Sequence, residues 1–134
     1  MVKLQQLSPD SRIWIYQSNR EFTAEETQKI NQLAAEFVNT WSAHGAALIA
    51  AAEVLYNRFL IIGVDEKQAS ASGCSIDKSV GFIKKIEADF KTNLLDRMLI
   101  AYCKGNNIKT FKLPEVSSML EKAEITGDTV IFDN

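Results

Sequence analysis

From residue 30 to residue 41 the apolar side chains Ile30, Leu33, Ala34, Phe37, Val38 and Trp41 recur at alternating steps of three and one. That is the period of a single helix face. Thr23-Ala24-Glu25-Glu26, just ahead of it, carries the threonine and glutamate of a capping box, in which each side chain satisfies an orphan backbone donor. The pattern predicts a helix over 24–43, stopped at Gly45. Before it, residues 12–17 alternate β-branched and aromatic side chains and read as a strand, broken by Ser18-Asn19-Arg20. Residues 46–56 are mixed, since alanine favours helix while Leu48-Ile49 and Val54-Leu55-Tyr56 suit a strand. Paired with 58–65, bulky on both faces, they make a hairpin turning near Asn57. A second helix is predicted over 75–92, with Ile76, Val80, Ile83, Ile86 and Phe90 on one side. Strands follow over 98–103 and 108–113, separated by the turn signal Lys104-Gly105-Asn106-Asn107. Pro114 opens a short helix to residue 122, and 129–132 form a last strand.

The order strand, helix, strand, strand, helix, strand fits an α+β fold of the ferredoxin-like split βαβ type. It implies a four-stranded antiparallel sheet, two helices on one face and a C-terminal extension over 114–132. With no repeat, linker or low-complexity stretch, 1–134 reads as one domain. In that arrangement the first helix ends where the second begins, so His44 and the 69–77 loop are expected to be neighbours, with Arg12 and Cys103 towards the same edge. Asn19, Arg20, Asn57 and Arg97 collect at the opposite edge. Trp14 and Tyr16 alternate with Ile13 and Ile15, so one apolar pair faces away from the helices. Residues 114–132 are the expected cover for that second face; a homodimer through it, or a ligand stacked on its aromatics, would serve instead.

Composition narrows the function classes. The chain has 134 residues, 46% hydrophobic and 24% charged, a globular balance. A net charge of −2 and a pI near 5.4, with scattered lysines, give no footprint for nucleic acid. The apolar run 46–52 is too short to cross a bilayer, and residues 1–7 do not read as a signal peptide. The two cysteines, Cys74 and Cys103, therefore fit a reduced cytoplasmic protein. One histidine and two distant cysteines match no metal spacing, and no cofactor motif is present.

Residues 69–79, ASASGCSIDKS, carry the candidate chemistry. Their Lys78-Ser79 end resembles that of a phosphate loop, but Ser72 and Asp77 stand where its glycines are required, so nucleotide hydrolysis is not expected. A cysteine beside a helix N-terminus is a more plausible nucleophile, because partial positive charge there favours thiolate. Cys74 and His44 form the candidate catalytic pair, against plainer roles as a small filler and a helix C-terminal cation. Ser72, Gly73, Ser75 and Asp77 are the candidate ligand-binding residues, since a small-residue loop with free amides can receive a carboxylate or phosphate. Equally, Ser75 as N-cap and Asp77 in the first turn would explain the composition by helix entry alone.

The segments SRIWIYQSNREFT, FVNTWSAHGAAL, YNRFLIIGVDE and ASASGCSIDKSVGFI resemble a family of short Bacteroidetes proteins, members of which are often labelled "ABC transporter ATPase". The resemblance is specific over 11–97 and weaker beyond. It implies a further aromatic-containing tail after Asn134 and brings no catalytic residues to transfer. The ATPase label conflicts with the missing phosphate loop, the missing ABC signature and the short chain. Two functions remain: a noncatalytic module binding a small ligand or a protein partner, and a small thiol-dependent enzyme built on Cys74 and His44.

Overall fold

The computed structural model describes residues 3–43, 45–67 and 69–132. They form two compact units, one ending at Leu94 and one beginning at Leu95.

In the first unit, strand β1 (Arg12–Gln17) is followed by helix α1 (Ala24–Thr40). Two-residue strands β2 (Ser42–Ala43) and β3 (Ala46–Ala47) make a small hairpin. Strands β4 (Ile49–Leu55) and β5 (Phe59–Asp65) and helix α2 (Gly73–Phe90) complete it. The capping box forms as expected: Glu26 N–H donates to Thr23 Oγ1 at 3.1 Å and Thr23 N–H to Glu26 Oε1 at 3.0 Å. The helix stops earlier than Gly45 suggested. Trp41 is already extended, and Gly45, at φ +80°, belongs to the β2–β3 turn. The hairpin also forms as read, with Tyr56 and Asn57 both at positive φ in its turn.

β5 is the central strand of an antiparallel sheet ordered β1-β5-β4. Trp14 pairs with Ile62 and Tyr16 with Leu60, so these side chains share a face. Both helices lie on it, because Trp14 meets Trp41 edge-on and Tyr16 bonds Ser79. Leu60, Ile62 and Val64 are fully buried there, with Ile30 and Ala34 of α1 and Ile83 and Ile86 of α2. Each large aliphatic side chain so buried contributes about 1.5–3 kcal/mol. On the outer side of β4, Asn31 Oδ1 accepts the Val54 amide at 2.8 Å.

On the opposite face, Gly63 meets a segment that the sequence pattern did not flag. A 3-10 turn at Leu4–Gln6 sets Leu4 and Leu7 against Gly63. A Cβ at Gly63 would stand 2.7 Å from Leu7 Cδ1 and 3.2 Å from Leu4 Cδ2, so the two leucine side chains would have to shift to admit one.

The second unit is a sheet ordered β7-β6-β8, built from β6 (Leu99–Lys104), β7 (Asn107–Lys112) and β8 (Ile131–Phe132). Helix α3 (Val116–Glu121) follows a 3-10 turn at Leu113–Glu115. Tyr102, Phe111 and Ile125 form its buried cluster, with Ile100, Val116 and Met119 against them. These pairings correct the expected four-stranded ferredoxin-like sheet. In a ferredoxin-like sheet β6 would pair with β1, but its two edges are taken by β7, across a tight turn, and by β8. The turn brings β7 to β6 at the least loop-closure entropy, which favours the local partner over a distant one.

Candidate functional site

The end of α1 and the start of α2 do meet, through Trp41. Its indole N–H donates to the Ser75 carbonyl at 2.8 Å, and the ring is buried. Ser72, rather than Ser75, is the N-cap. Ser75 N–H donates to Ser72 Oγ at 3.1 Å, and Ser72 N–H to Ser75 Oγ at 2.7 Å. Ile76 N–H reaches the Ser72 carbonyl at 2.9 Å. The hydroxyls of both candidate ligand-binding serines are therefore engaged in starting the helix, and Ser75 is buried. Gly73 and Cys74 are exposed on the first turn, and Asp77 is exposed on the next. Glu66 already places a carboxylate at this loop, accepting the Ala71 amide at 2.9 Å. An incoming anion would meet that charge.

Ser79 is buried, and its hydroxyl donates to the Ile76 carbonyl at 2.6 Å. It is turned into the helix layer against Tyr16, whose phenol is pushed above its ordinary range by burial, with the Ser79 bond opposing. A hydroxyl so placed does not face a nucleotide. Of the candidate catalytic pair, Cys74 is exposed at the start of α2, while His44 lies outside the described residues. Among the described residues no group of His, Cys, Asp and Glu could hold a metal ion.

A second feature sits in the middle of the helix layer. Phe37 of α1 stacks on Phe82 of α2, with centroids 4.7 Å apart and planes at 8°. The aromatic contacts continue from Phe37 to Trp41 at 5.2 Å and from Trp41 to Trp14 at 6.3 Å. Outside the stacked pair runs a groove of about 240 Å³, lined by Leu33, Glu36, Phe37, Phe82, Lys85 and Ile86. Its wall is almost wholly apolar, with one acid and one base. Phe82 falls beside the buried stripe of α2, which is why that stripe did not reveal it. The available signal was the pairing of Phe82 with Lys85 and Ile86, three and four residues on, and of Leu33 with Glu36 and Phe37.

The other end of the helix layer is polar and internally satisfied. Arg20 forks onto both Glu26 oxygens, at 2.8 and 2.7 Å, and also donates to the Phe90 carbonyl. The guanidinium holds the Glu26 carboxyl down at about 2. Ser18 and Thr92 hydroxyls bond at 2.7 Å, and Thr92 donates to Asn19 Oδ1. Asn57 receives the Phe22 amide and the Thr27 hydroxyl. Of the four residues expected at that edge, Asn19, Arg20 and Asn57 gather, as ties between elements rather than as an anion clamp, whereas Arg97 belongs to the other unit. In the second unit, Tyr102 donates to Glu124 at 2.9 Å, with Lys104 and Lys109 each 3.6 Å from that carboxylate.

Comparison with protein families, with curated proteins and with solved structures yields no match to this chain.

Proposed function

We propose that the chain is a noncatalytic protein-interaction module whose α1–α2 groove receives an apolar anchor side chain of a partner. The observation that carries this reading is the groove itself, about 240 Å³ of nearly apolar wall with Glu36 and Lys85 beside it. Small-molecule sites run to roughly 300–1,000 Å³ and rely on several convergent polar groups. This groove is smaller and has only one charge of each sign, which suits a single buried anchor flanked by a complementary acid and base. Absence of the phosphate-loop glycines and the inward-turned Ser79 hydroxyl both weigh against nucleotide hydrolysis.

The test is isotope-labelled protein titrated with amphipathic helical peptides that carry a leucine or phenylalanine between one acidic and one basic residue. Saturable shifts on residues 33–37 and 82–86 are expected, and Lys85→Glu should weaken binding about tenfold, ~1.4 kcal/mol. Shifts confined to 69–77, or no saturation at millimolar peptide, would overturn the reading.

One observation favours the thiol-dependent alternative: Cys74 is exposed at a helix N-terminus, whereas Cys103 is half-buried. Iodoacetamide labelling of the native protein, followed by peptide mass analysis, should find Cys74 modified first, and a nucleophile paired with His44 should label more slowly in His44→Ala. If Cys103 is modified first, that reading loses its nucleophile.

A further inference from the structure

Helices α1 and α2 run antiparallel, since α1 ends beside the start of α2, where the Trp41 indole bonds the Ser75 carbonyl. The Phe37–Phe82 stack sets their register. Leu33, one turn before Phe37, is therefore level with Ile86, one turn after Phe82. Leu33, Phe37 and Phe82 are each only half-buried, and they line the groove over the fully buried Ile86. The two charges of the groove stand on opposite sides of it, Glu36 on α1 and Lys85 on α2. Both are exposed, and among the described residues neither makes an ion pair or a side-chain hydrogen bond. A two-fold rotation about an axis parallel to the helices, in the plane of their outer surface, lays α1 of one copy on α2 of another. Glu36 of each copy then faces Lys85 of the second, and Leu33 and Phe37 of each cover Phe82 and Ile86. An axis across the helices would instead lay α1 on α1 and α2 on α2, acid towards acid and base towards base. Charge complementarity therefore selects the first arrangement.

We infer that the occupant of the α1–α2 groove is a second copy of the chain, docked helix layer to helix layer as a two-fold dimer. This rests on the proposed role of the groove as a protein-docking site and names the partner. Any other partner would have to carry an acid, an apolar anchor and a base in matching order; a second copy already does. The anchors exchanged are Leu33 and Phe37 of α1 and Phe82 of α2. Such an interface uses one patch twice, leaves neither charge unanswered, and closes at two copies rather than growing into a fibre.

The experiment is sedimentation equilibrium of the full chain over a concentration series, where a reversible monomer–dimer equilibrium is expected. Glu36→Lys and Lys85→Glu should each weaken it at least about tenfold, because each sets two like-charge pairs across the interface. Both positions are exposed, and lysine and glutamate are both good helix formers, so the circular dichroism spectrum should not change. An equimolar mixture of the two variants should recover dimers, as heterodimers, since every facing pair is then opposite again. The chain carrying both substitutions should dimerise like the wild type. A wild-type chain that stays monomeric at millimolar concentration would overturn the inference. If helical peptides still shift residues 33–37 and 82–86 of that monomer, the groove remains a docking site and only its occupant is wrong. Dimers that survive either single substitution unchanged would also overturn the inference, since their interface lies elsewhere. So would a mixture of the two variants that stays monomeric.

Discussion

The unit ending at Leu94 rests on a sheet face sealed by two helices, with Leu60, Ile62, Val64, Ile30, Ile83 and Ile86 all fully buried. The unit from Leu95 has a cluster of Tyr102, Phe111 and Ile125 and draws on polar ties, with Glu124 joining Tyr102, Lys104 and Lys109, and Lys112 bonded to Asp96. Apolar burial carries no charge to titrate, whereas exposed ion pairs are screened by salt and weak. The same chain thus contains one region governed mainly by packing and another in which a single hydrogen-bonded phenol carries a larger share. The contrast can be broken experimentally, because each region offers its own substitutions.

The largest expected effect is in the first unit. Ile62→Ala should cost about 2–5 kcal/mol, measured by denaturant unfolding, because the cavity opens under both helices. A loss below about 1 kcal/mol would show that this face is not close-packed. Next is Tyr102→Phe, which removes a hydrogen bond to a charged group and should cost about 1.5 kcal/mol, read from hydrogen exchange of β6 and β7. Thr23→Ala should cost about 1 kcal/mol through the lost helix cap. An unchanged melting curve would reject that cap.

The pH limbs sharpen the comparison further. Glu26 is lowered from 4.5 to about 2, chiefly by its bond to Arg20, so its contribution is fully present above 4.5 and is lost as pH falls through about 2. Arg20→Met should remove that acid-labile part and leave the rest of the first unit's curve in place. Tyr102 is raised from 10.0 to about 12, chiefly by burial and then by Glu124. Its contribution is complete below 10 and disappears as pH rises through about 12, so Tyr102→Phe should flatten the alkaline limb of the second unit. If the alkaline limb survives that substitution, the phenol is not its source.

What was legible in the sequence follows the reach of each interaction. The Thr23–Glu26 box and the face from Ile30 to Trp41 are set by residues a few positions apart, and both form as read. The hairpin through Asn57 was legible for the same reason, despite the alanines of β4. The cap of α2 was misplaced by three residues because Ser72 and Ser75 cap each other, and either serine satisfies the pattern. The partner of β6 could not be read, since a strand's composition does not say which edge it will join. The Leu4–Leu7 turn was hidden for another reason. A single short turn has no period, and the residue it packs on, Gly63, is distant in sequence.

The aromatic chain through the helix layer has an optical consequence. Both tryptophans of the protein, Trp14 and Trp41, belong to the unit ending at Leu94, where they meet edge-on. Tyr102 is the one tyrosine beyond that point, and no tryptophan accompanies it. Native emission excited in the indole band therefore originates in one unit alone. Buried Trp41, donating to the Ser75 carbonyl, reports on the seating of α2 against α1. An unfolding transition seen in backbone ellipticity but silent in indole emission would belong to the other unit, so the two regions can be followed separately without adding any label.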